Sequence, residues 1–236
     1  MKRKIVLEFT IPLVILGGLT VIWTVADCDV KIQRLFYTPE GGWIYHHYKL
    51  WTFLYRYGPF PAIFLSGVSF CVLLFSFLVG RLSPYRMKAL FFVLLLLMGP
   101  GLLVNVAFKE HWGRPRPRDV DVFGGKERYL TVLERGTGGK GRSFPSGHAS
   151  MGFYLFAPYF TFRASFPGRA RVFLGSGLIC GFLIGLGRMA QGGHFASDVI
   201  WSGGLVYLCG LSLYYLLGLD RLAIGDRGRD VRYDGG

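Results

Sequence analysis

Charged residues are scarce along most of this chain, and its cysteines follow no metal-binding pattern. Only 17% of the 236 residues are charged, and few of them fall inside the long apolar runs. A transporter or channel needs ionisable residues along its path, so runs this poor in charge argue against that class, including a transporter with a basic vestibule. The four cysteines form no CxxC pair, so neither a zinc site nor a disulfide framework is expected.

Apolar sequence, by contrast, is abundant. The chain is 52% hydrophobic, and several almost uncharged runs reach about 20 residues, the length typical of a membrane span. The predicted fold is an all-α integral membrane protein built as a six-transmembrane-helix bundle. The spans are 5–26, 58–80, 89–108, 148–162, 172–187 and 198–219. The fourth and fifth are short, so they form either two short spans or one re-entrant hairpin.

The segment between the first two spans, 27–57, mixes aromatic and basic residues. This composition is typical of a segment that lies in the lipid headgroup layer, so we predict an interfacial arm here. The whole of 1–219 is expected to form a single membrane-embedded domain, with its functional core at about 89–219. The charged segment 220–236 is predicted to be a cytosolic tail.

Basic residues set the predicted orientation. The net charge of +13 would suggest nucleic acid in a soluble protein, but here the basic residues lie between apolar runs. Lipid headgroups and phosphorylated substrates are therefore better partners, and no nucleic acid is expected. The N-terminus (2–4) and the loops 81–88 and 163–171 are basic, which places them in the cytosol by the positive-inside rule. The loop 109–147 is also basic, but several of its charges have a better explanation as phosphate ligands.

The first of three polar clusters follows the third span. Lys109 comes directly after the span, and Arg114-Pro115-Arg116-Pro117 follows it. The alternating prolines stiffen the backbone, so the guanidinium groups lose less entropy when they bind. Arginine makes bidentate contacts with phosphate oxygens, and lysine supplies a point charge. The alternative is a basic juxtamembrane stretch that binds anionic lipid.

The second cluster is Pro145-Ser146-Gly147-His148, at the start of the fourth span. Ser146 is suited to cap a helix N-terminus, and Gly147 allows a phosphate to approach the backbone closely. The N–H groups and the dipole at such a terminus favour an anion, and His148 would stand beside it, placed to donate a proton. The alternative is a simple helix cap with an interfacial histidine.

The third cluster joins Arg188, at the end of the fifth span, to His194 and Asp198. The last two are four residues apart, so they share one face if the segment is helical. A carboxylate on one imidazole nitrogen fixes the tautomer and leaves the other nitrogen free to attack. The alternative is a structural His–Asp hydrogen bond. Two spans or a hairpin both return the chain to the same side, so all three clusters face one compartment.

Together the clusters resemble the three-part signature of the type 2 phosphatidic acid phosphatase superfamily, with every spacing kept from 109 to 198. One departure is Gly187 before Arg188, where the family usually has serine. The resemblance implies that His194 is the nucleophile and forms a phosphohistidine, that Asp198 orients it, and that His148 protonates the leaving alkoxide and later activates water. The implied phosphate ligands are Lys109, Arg116, Ser146, Gly147 and Arg188. The resemblance implies no metal and no cofactor.

Within the superfamily, parts of the arm and the stretch 191–195 are similar to bacterial lipid A phosphatases. This resemblance implies a lipid A 1-phosphatase of a bacterial inner membrane, with its active site facing the periplasm and no obligatory protein partner. Phosphatases of undecaprenyl diphosphate or phosphatidylglycerophosphate, and a lipid phosphotransferase, share the motifs. A metal-dependent hydrolase using His111, His148 and His194 is a weaker alternative, because HExxH and a carboxylate set are missing. The motifs leave the lipid and the oligomeric state open.

Overall fold

A computed structural model describes residues 2–136 and 141–221. Within these ranges, five helical segments are long and apolar enough to cross a membrane. They are Arg3–Val25, Lys49–Phe75, Gly80–Asp119, Pro167–Ala190 and Ala196–Leu216. The protein is therefore helical with several candidate spans, as the apolar runs predicted. All but the first two residues of the predicted cytosolic tail, 220–236, lie outside the described residues.

The described residues contain ten α-helices, one π-helical segment, three 3-10 turns and one short hairpin. The helices are α1 (Lys2–Val25), α2 (Cys28–Gln33), α3 (Lys49–Tyr57), α4 (Phe60–Phe75), α5 (Arg86–Leu96), α6 (Lys109–Trp112), α7 (Gly147–Tyr154), α8 (Ala157–Phe162), α9 (Pro167–Ala190) and α10 (Ala196–Leu216). Strands β1 (Tyr37–Thr38) and β2 (Gly42–Trp43) pair antiparallel. A π-helical stretch, Leu97–Phe108, joins α5 to α6, and 3-10 turns occupy Gly80–Tyr85, Pro117–Asp119 and Asp121–Phe123.

The fourth and fifth predicted spans differ from expectation in opposite ways. The fourth is divided into α7 and α8, of 8 and 6 residues, and Pro158 lies in the first turn of α8, where its missing N–H costs no hydrogen bond. The fifth was predicted to be short, which was wrong, because α9 has 24 residues. Its basic first turn, residues 167–171, continues the helix beyond the apolar run.

Small residues allow α7 to lie against α9 deep in the bundle. A Cβ on Gly181 of α9 would collide with the ring of Phe153, and one on Gly177 would collide with the backbone of Phe156. Close backbone approach through glycine is a common way to pack helices in a membrane, where the hydrophobic effect does not drive association. The start of α7 lies beside α10, because the hydroxyl of Ser202 donates to the carbonyl of Ser146 at 2.9 Å.

The predicted interfacial arm contains helices and a short hairpin. It comprises α2, the β1–β2 hairpin and α3, and α3 runs into α4 through only two residues, Gly58 and Pro59, both with right-handed helical backbone. A small apolar cluster formed by Val120, Phe123 and Phe195 packs against Tyr37 and Trp43 of the hairpin. The arm is thus held onto the loop that follows the third span.

The two ends of the bundle are distinguished by their polar contacts. At one end Arg163 pairs with Glu8 of α1, and the Tyr215 hydroxyl of α10 donates a hydrogen bond to the same carboxylate at 2.8 Å. The N-terminus of α1 and the C-terminus of α10 therefore share one end, along with the basic residues 163–171. The three predicted polar clusters lie at the opposite end, where α10 begins.

Candidate active site

Five of the eight predicted site residues line a single cavity of about 460 Å³ at the end of the bundle where α10 begins. They are Lys109, Arg116, His148, Arg188 and His194. The cavity is also lined by His46, His47, Thr52 and Tyr55 of the arm and by Arg118 and Gln191. The other three predicted residues, Ser146, Gly147 and Asp198, are buried and do not line it. The structure therefore brings all three sequence clusters to one place, with a wall supplied by the arm.

His194 is almost completely buried, and a backbone carbonyl fixes its proton. Its Nδ1 lies 2.6 Å from the carbonyl oxygen of Ser143. Because a carbonyl only accepts hydrogen bonds, the neutral ring must carry its proton on Nδ1, which leaves a lone pair on Nε2. Burial lowers the pKa of His194 to about 4, although nearby Asp198 opposes the shift. His194 is therefore a neutral base at physiological pH.

Asp198 supports this arrangement less directly than the sequence suggested. His194 lies outside α10, and its Nδ1 is 3.7 Å from the Asp198 carboxylate, too far for a hydrogen bond. The expectation that the carboxylate sits on the imidazole nitrogen was therefore wrong. Asp198 Oδ2 instead accepts two hydrogen bonds. One comes from the N–H of Phe195, the N-cap residue of α10, at 2.8 Å, and the other comes from the hydroxyl of Ser143 at 2.5 Å. Asp198 holds the residue that holds His194.

Arg114 is the main site feature that the sequence reading missed. Its side chain is fully buried, and its guanidinium donates to Asp198 Oδ1 at 2.6 Å and to Asp29 Oδ2 at 2.8 Å. It also donates to the hydroxyl of Ser197 and to the carbonyl of Leu130, at 2.8 and 2.9 Å. Every nitrogen of this guanidinium therefore has a partner. The proline-flanked arginine pair was the available signal, but it does not indicate which arginine turns inward.

The cavity wall carries cations whose buried N–H groups lack partners. The Nε atoms of Arg116 and Arg188 are both buried without a hydrogen-bond partner among the described residues. One further guanidinium nitrogen of Arg188 donates to Gln191 at 2.5 Å. Gly193 lies so close to Arg188 that a Cβ there would strike the guanidinium. Both arginines line the cavity beside Lys109, and these three cations are suited to bind an anion such as phosphate.

The second cluster combines a helix cap with a histidine at the cavity. Ser146 caps α7 by accepting the N–H of Ala149 at 3.4 Å, as its position predicted, but it is fully buried. A Cβ on Gly147 would lie 3.2 Å from Lys109 Nζ, so the lysine amine sits directly over this glycine. His148 faces the cavity from the first turn of α7. The Gly147 backbone and the Lys109 amine thus approach each other at the start of the helix.

Tyr55 of the arm contacts two of the predicted site residues. Its ring stacks on His148, with centroids 4.5 Å apart and planes 21° from parallel. The Arg188 guanidinium carbon lies 4.6 Å from the centroid of the same ring. Nothing in the local sequence marks Tyr55 among the many aromatic residues of the arm. Its role depends on α3 packing against α9, which is a tertiary contact.

Metal ligands are not grouped in the part of the chain that the structure describes. Across 2–136 and 141–221, no three His, Cys, Asp or Glu residues come together in a way that could hold an ion. The cavity instead presents imidazoles and cations, a set suited to an anionic substrate.

A fold and a site of this kind are those of the PAP2 superfamily, whose family model matches residues 87–221, and the chain belongs to that superfamily. It is 38% identical to a lipid A 4′-phosphatase of Francisella tularensis subsp. novicida over 194 residues, which is 81% of this chain and 86% of the relative. It is 39% identical to a lipid A 4′-phosphatase of Rhizobium leguminosarum over 123 residues, about half of each chain. No solved structure matches the chain at a significant level.

These comparisons confirm the prediction of a lipid phosphatase. They also bear on the phosphate that was predicted. The expectation named the 1-phosphate of lipid A, whereas the relatives are named for the 4′ position, so the likeness supports a lipid A phosphatase without supporting the 1 position.

Proposed function

We propose that this enzyme removes the 4′-phosphate of lipid A through a phosphohistidine on His194. The observation that carries the proposal is the neutral imidazole of His194, whose proton is fixed on Nδ1. Its Nε2 lone pair belongs to a cavity that also contains Lys109, Arg116 and Arg188. A nucleophile and three cations around one cavity are what phosphoryl transfer requires.

The reaction then has two steps. In the first, Nε2 of His194 attacks phosphorus and the phosphorus–oxygen bond to the sugar breaks. Burial and the nearby cations lower the pKa of His148 in the free enzyme, so His148 gains its proton when the phosphate anion binds, and it then donates that proton to the departing alkoxide. In the second, His148 takes a proton from water, which attacks the phosphohistidine and releases phosphate. The cations hold the non-bridging oxygens, whose charge is spread in the transition state. The start of α7, where Gly147 adjoins the Lys109 amine, adds the positive end of a helix dipole near these cations.

The choice of phosphate rests on the relatives. Three curated relatives are named as acting on the 4′-phosphate. The test is to incubate the purified enzyme in mixed micelles with lipid A that carries both phosphates. Tandem mass spectrometry then identifies the sugar that keeps its phosphate. Product that retains only the 1-phosphate is expected.

Other outcomes of the same assay would replace the proposal. Product that retains only the 4′-phosphate would establish the 1-phosphatase that the sequence resemblance implied. Faster release from undecaprenyl diphosphate or phosphatidylglycerophosphate would exclude lipid A as the preferred substrate. Transfer of the phosphate to a second lipid, with no free phosphate formed, would indicate a phosphotransferase. A water-soluble ester such as p-nitrophenyl phosphate should react slowly, because it lacks the acyl contact of the membrane substrate.

The proposal places the protein in the bacterial inner membrane as one domain, 1–219, with the cavity facing the periplasm. The support is the basic end of the bundle, which carries the N-terminus and residues 163–171 opposite the cavity. A single cysteine at the exposed position 133, in a variant without the native cysteines, should react with a membrane-impermeant thiol reagent in intact spheroplasts. Labelling only after lysis would reverse the orientation.

Metal independence is part of the proposal, because the three cations supply the positive charge that a metal ion would bring. We expect full activity in EDTA. Micelles without lipid A, treated in the same way, are the control for the phosphate assay. Inhibition that is complete and reversed by adding a divalent ion would refute this. Vanadate should inhibit, because its trigonal-bipyramidal adduct with histidine mimics the transition state.

A further inference from the structure

We infer that Asp29 of the arm is a positioning residue for catalysis, acting on the nucleophile through Arg114 and Asp198. The inference rests on the proposed role of His194. A carboxylate almost 170 positions away in the chain thereby joins the machinery that orients the reacting imidazole, and the arm becomes part of the active site as well as a wall beside it.

The contacts form one continuous chain. Asp29 Oδ2 accepts Arg114 Nη2 at 2.8 Å, Arg114 Nη1 donates to Asp198 Oδ1 at 2.6 Å, and Asp198 Oδ2 accepts the hydroxyl of Ser143 at 2.5 Å. The carbonyl of Ser143 then receives Nδ1 of His194. All the side chains in this chain are buried, with exposed fractions of 4% or less for each charged group. Water cannot replace any of these partners without rearrangement.

The two oxygens of Asp198 show why this arrangement sets geometry. Arg114 engages Oδ1, while Oδ2 serves Ser143 and Phe195. The hydrogen bond from Arg114 to Oδ1 fixes the rotation of the Asp198 carboxylate, so Oδ2 holds Ser143 at a fixed position. The carbonyl of Ser143 in turn fixes the direction in which His194 presents Nε2. Loss of the grip on Oδ1 would free this rotation.

Asp29 is bound in a way that only a carboxylate satisfies. Its Oδ1 accepts the N–H of Ser197 at 2.9 Å, and its Oδ2 accepts both the Ser197 hydroxyl, at 2.5 Å, and Arg114. Every group that faces it is a donor. Asparagine has only one acceptor oxygen, so Asp29→Asn keeps the shape, turns an NH2 toward one of these donors, and removes the negative charge that pairs with Arg114.

The experiment compares Asp29→Asn with Asp27→Asn in the full-length enzyme. Asp27 makes the matched control, because it is exposed and has a positive φ of 48°, which asparagine tolerates well. We expect kcat of Asp29→Asn to fall by about 10- to 100-fold with KM unchanged, because misplacement of the nucleophile affects the chemical step and leaves the cations in place. Asp27→Asn should match wild type.

Inhibition constants separate positioning from general damage, because they do not depend on the fraction of active enzyme. Vanadate bonds to His194, whereas inorganic phosphate is held by the cations alone. Asp29→Asn should raise Ki for vanadate by about tenfold, a change expected when a supporting partner is lost, and leave Ki for phosphate unchanged. If Asp29→Asn does not fold, Ser197→Ala should show the same selective loss to a smaller degree, because it removes one hydroxyl from the same network.

Two results would overturn the inference. One is a kcat of Asp29→Asn within twofold of the Asp27→Asn control. The other is an equal rise in both inhibition constants, which would show that the whole cavity had deformed. His194→Ala, measured alongside, separates this inference from the proposed function. If His194→Ala is inactive and Asp29→Asn is normal, only the inference fails, whereas an active His194→Ala removes the proposed function and the inference with it.

Discussion

Arg114 and Arg116 are two residues apart in a repeat of Arg-Pro, yet they serve opposite sides of the site. Arg114 turns inward, is fully buried and has a partner for every guanidinium nitrogen. Arg116 turns toward the cavity, and its buried Nε has no partner among the described residues. We call the first side the rear wall, formed by Asp29, Arg114, Ser143 and Asp198, and the second the front wall, formed by Lys109, Arg116 and Arg188.

The difference shows how the role of an arginine in a site follows from its burial and its hydrogen-bond partners. A buried arginine with every donor paired has completed its interactions, so its contribution is to structure and to the position of its neighbours. An arginine that is only half-buried, lines a cavity and keeps an unpaired donor can bind a ligand there, so its contribution is to binding. Arg114 and Arg116 are the same residue type, and pairing and burial together separate their roles.

The largest effect that would test this division is expected at the point where the two walls meet. His194 is held by the rear wall and faces the front wall, and in the proposed mechanism it carries the phosphoryl group. His194→Ala should lower kcat by at least about 10⁴-fold while binding of micellar lipid persists. Phosphate release and lipid binding are measured on the same preparation. Turnover within tenfold of wild type would remove His194 as the nucleophile.

A paired comparison of the two arginines gives the next largest effect. Arg116→Met should lower kcat/KM by about 10²- to 10³-fold, because a donor to the transition state is lost, with little change in thermal stability in detergent. Arg114→Met leaves Asp29 and Asp198 buried without a countercharge and should cost about 3–5 kcal/mol of stability. Thermal unfolding and kcat/KM are measured for both variants. Equal destabilisation by the two substitutions would break the distinction between the walls.

A smaller effect is expected at Tyr55, where the arm meets the front wall. Tyr55→Leu removes the ring that contacts His148 and Arg188, and it should lower kcat/KM by about three- to tenfold, the value of one cation–π or stacking contact. Tyr55→Phe keeps the ring and should stay close to wild type. A loss in Tyr55→Phe as large as that in Tyr55→Leu would show that the hydroxyl, and not the ring, is the functional part.

The smallest effect concerns acidity. The His194 nucleophile is active only when unprotonated, and burial lowers its pKa from 6.5 to about 4, so the free enzyme stays active as the pH falls through the usual histidine range. After correction for ionisation of the substrate phosphate, kcat/KM should change less than about twofold between pH 7.5 and 5.5 through His194. An unperturbed imidazole would cause a loss of about tenfold over that interval. An acid limb near pH 6.5 assigned to His194 would contradict the buried, neutral state.

Motif spacing predicted the convergence of the three clusters, because each lies at the edge of an apolar segment and all return to one side of the membrane. The cavity that contains Lys109, His148 and His194 follows from that topology. The partner of the imidazole could not be predicted in the same way. The carbonyl of Ser143 is a backbone group, and its place depends on how the chain approaches α7, which no side-chain pattern records.

The arm and the fifth predicted span show the same limit of prediction from sequence. Composition predicted an interfacial segment at 27–57, but Asp29 and Tyr55 reach the site through tertiary packing of α2 and α3, which composition does not describe. Hydropathy predicted a short fifth span because the basic residues 167–171 lie outside the apolar run. The helix nevertheless continues through them, because charged side chains at a helix end reach into the headgroup layer.

The near-continuity of α3 and α4 links the enzyme to the thickness of its bilayer. Together they form one candidate span of 27 residues, whose length at the rise of an α-helix is about 40 Å, more than an apolar layer of about 30 Å. Tyr55 lies near the N-terminal end of this span, on the side of the cavity, and the rest of the span lies among acyl chains. A span that is too long for a thinner bilayer tilts, and the tilt moves Tyr55 relative to the rest of the cavity. Turnover should therefore change with the acyl-chain length of the surrounding phospholipid even when the substrate is unchanged.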